Sequence, residues 1–341
     1  MGWWEVNADT LAGSRFVLSP LAETTACLMV LAKGVPGHLG ERAWLQAHHA
    51  SYRERLAGDP IAALLIPSAM GRRWIADFLT PTPTADGEET FENEVARIRE
   101  TPPEAALADL AVSLGSPLPA LLRRPDLPER TADLLEWVWA ECVLPYWPRR
   151  RRILQADVIA RMAQLSQAGW AAALNDMRPG MRWLGDSRLQ INAYDYPPRK
   201  LSGAKLLFVP VTPRQGWASW DEPHRYAVVY PCSGVLAGAD HAAIPETLAA
   251  LLGPARAGVL VLLDTPKSTT QLVALTGQGL GSVGRHLKIL LHAGLVGRRR
   301  AGRSVLYHRT AVGQVLVEAQ PGGGGARRGR RAARRNTAAK E

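Results

Sequence analysis

The sequence predicts a mainly α protein with minor β. A helical N-terminal domain over residues 1–244 holds a small β-containing segment, and a smaller domain over 245–320 runs from helices into a β hairpin. Two observations predict this fold, and a third, the charge, points to a polyanionic partner. Through most of the first 175 positions apolar residues recur at spacings of three and four, the period of a helix with one buried face. Between about 180 and 232 short β-prone runs alternate with Pro, Gly and Asp turns. The net charge of +10 is also uneven: residues 1–244 carry 25 Lys/Arg against 27 Asp/Glu, residues 245–320 carry 9 against 3, and residues 321–341 carry 7 against 1. A chain of 341 residues, at roughly 100 to 200 residues per domain, fits the two-domain reading.

The elements follow in order. PLAETTACLMVL (20–31) is a helix, with Ser19 ahead of Pro20 at its start and Lys33-Gly34 as its stop. Further helices are expected over 39–56, 61–65, 74–78, 91–98, 104–114, 127–144 and 149–174, with TPTPTADGEE (80–89) a loop. The β-prone runs are 183–191, 205–211 and 226–230. The loop GVLAGADHAAIPE leads to a boundary near Pro245. A helix over 246–263 presents Leu248, Leu251, Leu252 and Val259; Ser268 caps a second over 269–276, with Leu272 and Leu275 turned inward. After a turn at 277–279, a third helix over 280–293 turns Val283, Leu287, Leu290 and Leu291 inward, and Gly294 ends it. Strands over 295–300 and 305–310 make a hairpin whose turn is 301–304, and a short helix over 311–319 closes the domain. Residues 321–341 are a glycine hinge and a basic tail with too little apolar surface to fold.

Several function classes are excluded on residue chemistry. The uninterrupted apolar stretches, 61–67 and 258–263, fall short of the roughly 18 residues a bilayer span needs. The start MGWWEVNAD lacks a charged segment leading into an apolar one. Cys27, Cys142 and Cys232 are an odd number standing far apart, so no disulfide framework or zinc knuckle is expected, and the cytoplasm is the expected compartment. No nucleophile elbow, HExxH or phosphate loop occurs, and the carboxylates have no paired setting, so no catalytic, cofactor-binding or metal-binding residue is expected. His38, His48 and His49 lack a spaced ligand set around them. The eleven tryptophans all precede residue 221. They either fill a large helical core or line a pocket or dimer surface for an effector, and in the second case Trp183 and the Trp217/Trp220 pair are the first candidates.

Three helices and a basic-tipped hairpin, in that order, make a winged helix-turn-helix. The inward spacing of the third helix leaves Ser282, Arg285, His286 and Lys288 on or near its opposite face, as a major-groove recognition helix requires. Arg299, Arg300 and Arg303 fall where the wing meets the phosphate backbone. STTQLVALTGQGLGSVGRHLKILLHAGLVGRRRAGRSVLYHRT closely resembles the winged helix-turn-helix of the ArsR-like transcriptional regulators, over about residues 246–312. The resemblance implies recognition-helix roles for Ser282, Gly284, Arg285, His286 and Lys288 and wing roles for Arg300, Arg303 and Tyr307. It also implies a homodimer on double-stranded operator DNA, acting as a repressor in the cytoplasm at the nucleoid, with occupancy answering to an unidentified small-molecule effector. Metal sensing of the cysteine-cluster kind is not expected, since no cysteine follows Cys232. The sequence departs from the family where Gln278 and Gly279 stand in place of an apolar residue and a Ser/Thr cap, and where Gly284 replaces the serine. The alternative is a winged-helix adaptor that docks proteins without reading DNA.

Overall fold

The computed structural model describes residues 2–318 apart from 38–40, 72, 85, 86, 88, 176, 233–243, 264, 265, 277, 302 and 303. Arg303, His38, most of the 234–246 loop and the basic tail therefore lie outside the described residues. The chain divides into two compact units, Met1–His241 with Thr270–Gln278, and Ala242–Thr269 with Gly279–Glu341.

In the first unit, β1 (Trp3–Glu5), α1 (Ala8–Gly13) and β2 (Arg15–Phe16) lead into α2 (Pro20–Lys33). Ser19 Oγ accepts from the Ala22 amide at 2.9 Å, and Gly34, at φ 65°, closes the helix in the left-handed region. The sequence suggested one buried face. Instead Pro20 through Leu31 are buried on every side, because α2 is the axis around which α3 (Glu41–Ala57), α5 (Phe91–Arg99) and α7 (Leu127–Val138) pack, with α4 (Pro60–Ala69) and α6 (Pro103–Leu114) completing the same core. Central burial brings a polar cost that is met locally: the buried Glu23 carboxylate accepts from Arg150 Nη1 at 2.6 Å and the Thr212 amide at 2.8 Å. All three cysteines are buried and free.

Three expected elements are corrected. Residues 74–78 are not a helix; Met70 bridges Ile75, Ala76 N donates to Ala69 O at 2.8 Å, and only a 3-10 turn follows at Asp77–Leu79. Five residues are too few to meet the cost of a helix nucleus when backbone pairing competes. The 127–144 helix leaves α geometry after Val138 through a π turn, Trp139–Val143, and a 3-10 turn, Leu144–Tyr146; Pro145 and Pro148 have no amide to continue the ladder. The run over 183–191 is a hairpin, β3 (Arg182–Gly185) and β4 (Arg188–Gln190), turned at Asp186 and Ser187 with φ of 47° and 60°. Helix α8 (Trp147–Leu174) carries a break at Gly169, φ 75° and ψ 179°.

The β segment is larger than expected. Lys205–Val211 (β6) and Arg225–Pro231 (β8) lie where the sequence put them, parallel and in register from Lys205↔Arg225 to Val211↔Pro231. Strand β5 (Arg199–Lys200), β7 (Trp217–Asp221), β1 and β2 were not expected. Two four-stranded sheets result, β3-β4-β1-β5 and β2-β6-β8-β7. Residues 3–16 thus supply a strand to each sheet, a long-range pairing that local periodicity does not record.

The tryptophans mostly pack on the cores, Trp4, Trp217 and Trp220 among them, and some of these also line a cavity. Trp139 stacks on Phe91 at 4.8 Å, Trp44 Nε1 donates to Cys142 O at 2.8 Å, and Trp137 and Trp147 pack on the same helical core. Trp170 and Trp183 pack on the core between the sheets. Trp3, Trp4, Trp74, Trp217 and Trp220 line a cavity. Trp183 is absent from that lining.

In the second unit, the expected 246–263 helix is two: α9 (Glu246–Leu252) and α10 (Pro254–Leu262). Gly253 sits between them at φ 80°, ψ 146°, since the Pro254 ring disfavours helical geometry in the residue before it. Leu248 and Val259 are buried, whereas Leu251 is 66% exposed. Strand β9 (Lys267–Ser268) precedes α11 (Thr269–Thr276), most of which clusters with the first unit; there Leu275 packs on the core of Ile153, Leu154, Ala156 and Cys232. Helix α12 (Leu280–His292), strands β10 (Val296–Ala301) and β11 (Ser304–Arg309), and α13 (Ala311–Glu318) follow. The sheet order is β10-β11-β9. Among the described residues no helix is long and apolar enough to cross a membrane.

Candidate nucleic-acid interface

Helix α12 is amphipathic by construction. Val283, Leu287 and Leu290 are buried at spacings of four and three, and α10 packs against this face. Gly279 starts the helix with no side-chain cap, in keeping with the loss of the family's Ser/Thr. At the other end Gly294, at φ 69°, lets the Leu295 amide return to Leu290 O at 3.0 Å, which stops the helix and aims the chain into β10.

The opposite face carries the expected residues in unequal roles. Arg285 and Lys288 are exposed. Ser282 Oγ lies 3.2 Å from His286 Nε2 across one turn, and the ring's Nδ1 is shielded with no hydrogen-bond partner among the described residues. Burial, then the cations Arg256 and Arg285, lower the His286 proton affinity below that of ordinary imidazole, so at neutral pH the ring is uncharged and partly committed to Ser282. Gly284 is half-buried, with open space where a Cβ would stand. Arg256, on α10, was not singled out by the sequence. Its effect on His286 places a further cation beside α12, and only the packing of α10 on α12 reveals it.

The hairpin pairs Arg298 with Tyr307, Arg299 with Leu306, Arg300 with Val305 and Ala301 with Ser304. Paired residues share a face and neighbours along a strand alternate. Arg298, Arg300 and Tyr307 therefore lie on one face and Arg299 on the other, with all three arginines exposed and Tyr307 half-buried. A Cβ at Gly297 would fall 2.7 Å from His308 Nε2, so a larger residue there would push the cross-strand imidazole aside. The loop residue Arg303 is outside the described residues.

Two of the unit's cations serve the fold. Lys267 is fully buried in β9. Arg309 donates through Nε to Leu260 O at 2.8 Å and through Nη2 to Val261 O, capping the last turn of α10 with a positive charge. The charge total over 245–320 thus overstates what faces solvent. The cations left for a polyanion are Arg256, Arg285, Lys288 and the three hairpin arginines among the described residues.

No group of three His, Cys, Asp or Glu that could hold a metal ion occurs among the described residues. Searched against known proteins, the chain matches no protein-family profile, and no solved structure matches it. It is 38% identical over 81 residues to the HTH-type transcriptional regulator NmtR of Mycobacterium tuberculosis, a match that covers 23% of this chain and 68% of that protein.

Proposed function

This chain belongs to the HTH-type transcriptional regulators of the ArsR/SmtB kind, and from that membership we propose that it is a sequence-specific, double-stranded-DNA-binding repressor. The observation that carries the reading is α12: one face buried through Val283, Leu287 and Leu290, the other offering Arg285 and Lys288 to solvent, in the same small unit as three exposed hairpin arginines. In this reading α11, α12 and the hairpin form a winged helix-turn-helix within a domain spanning 245–320. Helix α12 enters the major groove, Arg285 reads base edges, Lys288 and the Ser282 hydroxyl engage at the groove rim, and the hairpin tracks the backbone. His286 orients Ser282, and Gly284 lets the helix approach closely. Arg300, Arg303 and Tyr307 belong to the wing, with Arg299 on its other face.

The working unit in this proposal is a cytoplasmic, nucleoid-associated homodimer on an inverted repeat, which occludes a promoter. Exposed Leu251 on α9 and Val312 and Val315 on α13, at 66%, 63% and 63%, supply apolar surface for such a dimer. The tail over 321–341 adds sequence-independent affinity, and the first unit houses an effector site and part of the dimer surface.

The test is selection of fragments from sheared host DNA, followed by a salt titration of the retained site. The expected result is an inverted repeat whose binding weakens steeply with salt, with a log–log slope of about 0.9 per phosphate contacted. A flat salt response would defeat the reading in favour of a protein-docking module. Arg285→Ala should relax preference at one or two base pairs, at roughly 1–3 kcal/mol on the selected site. Because Arg299 and Arg300 face opposite ways, their alanine variants should change the salt slope unequally.

A further inference from the structure

The DNA-binding reading gives the first unit an effector site without naming its ligand, and a cavity of about 1050 Å³ lies wholly within that unit. Its walls come from β1, from α2, from the segment around Trp74, from the turn after α8, from residues 191–200 and from β7 and β8. The aromatic part of the wall is continuous: Trp74 meets Trp220 edge-on at 5.4 Å between centroids and Tyr196 edge-on at 5.3 Å. Inclined at 70° and 75° to Trp74, the two neighbouring rings give a flat ligand ring one aromatic face to stack on and an adjoining edge to meet.

Several polar groups of the lining are engaged within the fold. Arg199 lies 3.9 Å over the Trp220 ring and pairs with Glu222, which also accepts from Tyr226 at 3.2 Å. Desolvation, then the neighbouring Asp109 charge, hold the Asp77 carboxyl up to about 6. Lys33 donates to Gln215 at 2.8 Å. Arg178 has no such partner. It sits in the turn after α8, with Nη1 shielded from water and no hydrogen-bond acceptor among the described residues. Burial lowers its guanidinium to about 10, so it remains charged at neutral pH. A shielded guanidinium N–H without an acceptor is costly to maintain, and a ligand anion would satisfy it. A single guanidinium matches a monoanion in a planar two-oxygen group better than a phosphate dianion, which calls for several donors.

We propose that this cavity binds a planar aromatic carboxylate, its ring against the wall formed by Trp74, Trp220 and Tyr196 and its carboxylate on Arg178. The volume admits a bicyclic or larger ring system. The site needs no DNA, so its test is independent of the reading above.

The test is isothermal titration of the full-length protein, without DNA, against 1-naphthoate and its neutral match 1-naphthamide, with benzoate, salicylate and indole-3-acetate alongside. Naphthoate should bind at one site per chain and at least about tenfold more tightly than the amide. Arg178→Met should weaken naphthoate about tenfold or more and leave the amide unchanged. Arg178→Lys, which keeps the charge but loses the two-pronged geometry, should fall between, and it serves if the Met variant does not fold. Trp74→Leu should weaken both probes. Equal affinity for naphthoate and naphthamide, unchanged naphthoate binding in Arg178→Met, or no binding by any of the four carboxylates would overturn the proposal.

Discussion

Two Gly→Ala substitutions in the second unit should act in opposite directions, although helix propensity gives both the same sign. Gly284 stands in the interior of α12 and Gly313 in the first turn of α13. Alanine is favoured over glycine in a helix by up to about 1 kcal/mol. At Gly284 nothing lies within 4 Å of an added Cβ, so Gly284→Ala should realise most of that gain. At Gly313 the added Cβ would fall 2.1 Å from Leu295 O, where ordinary contact begins at 3.4 Å. The helix and the Leu295 carbonyl would have to part by more than about 1 Å, the scale at which overpacking costs about 1–3 kcal/mol. That carbonyl also accepts from Thr310 N at 3.0 Å, the residue whose Oγ1 takes the Gly313 amide at 3.2 Å. Separation therefore loosens the α13 cap as well, at about 1 kcal/mol. The net expectation is a loss of about 1–3 kcal/mol for Gly313→Ala. Every tryptophan precedes residue 221, so indole fluorescence does not report on this unit. Amide hydrogen exchange across α12, α13, β10 and β11 in the intact protein does. Protection should rise up to about fivefold in Gly284→Ala and fall about five- to 150-fold in Gly313→Ala. Equal shifts in the same direction would refute the packing argument and leave propensity as the governing factor.

Other expectations concern the first unit. Glu94 is buried at the start of α2, where it accepts from the Leu21 amide at 2.7 Å, and burial raises its carboxyl to about 7. A raised carboxyl binds its proton more tightly in the folded chain, so stability from this group falls as pH rises from about 4.5 to 7 and stays lost above. Glu94→Gln should flatten that slope and gain about 1–3 kcal/mol at pH 8, read from urea unfolding at several pH values; a steeper slope in the variant would contradict it. Arg150→Met strands the buried Glu23 carboxylate and removes a cation 5.2 Å over the Trp44 ring. It should cost about 3–5 kcal/mol by tryptophan-monitored unfolding, with Glu23→Gln in the same chain recovering most of the loss. Full recovery from Glu23→Gln is not expected, because Thr212 N also bonds that carboxylate at 2.8 Å.

Much of the candidate interface was legible because it is local. A face repeating every three or four residues makes α12 amphipathic wherever it packs, so Val283, Leu287 and Leu290 inside and Arg285 and Lys288 outside follow from spacing. Gly294 as a stop and the alternation of the hairpin arginines depend on backbone geometry within a few residues. Which cations are available was not legible. Arg309 and Arg300 look alike in the chain, yet one caps α10 and the other is exposed, a difference set by what lies beside each in space.

The sequence by itself determined the mainly helical class, the placement of β6 and β8, the charge asymmetry and the amphipathic basic helix, because each rests on periodicity or composition over a short window. Only the tertiary structure decided that residues 3–16 complete both sheets, that 74–76 is extended ahead of a 3-10 turn, that α2 is buried all round, and that Trp74, Trp217 and Trp220 share a cavity with Arg178. The sheet completion and the cavity join residues more than a hundred positions apart. Such pairings repay their loop-closure entropy only when the whole fold forms, and no local pattern along the chain encodes them.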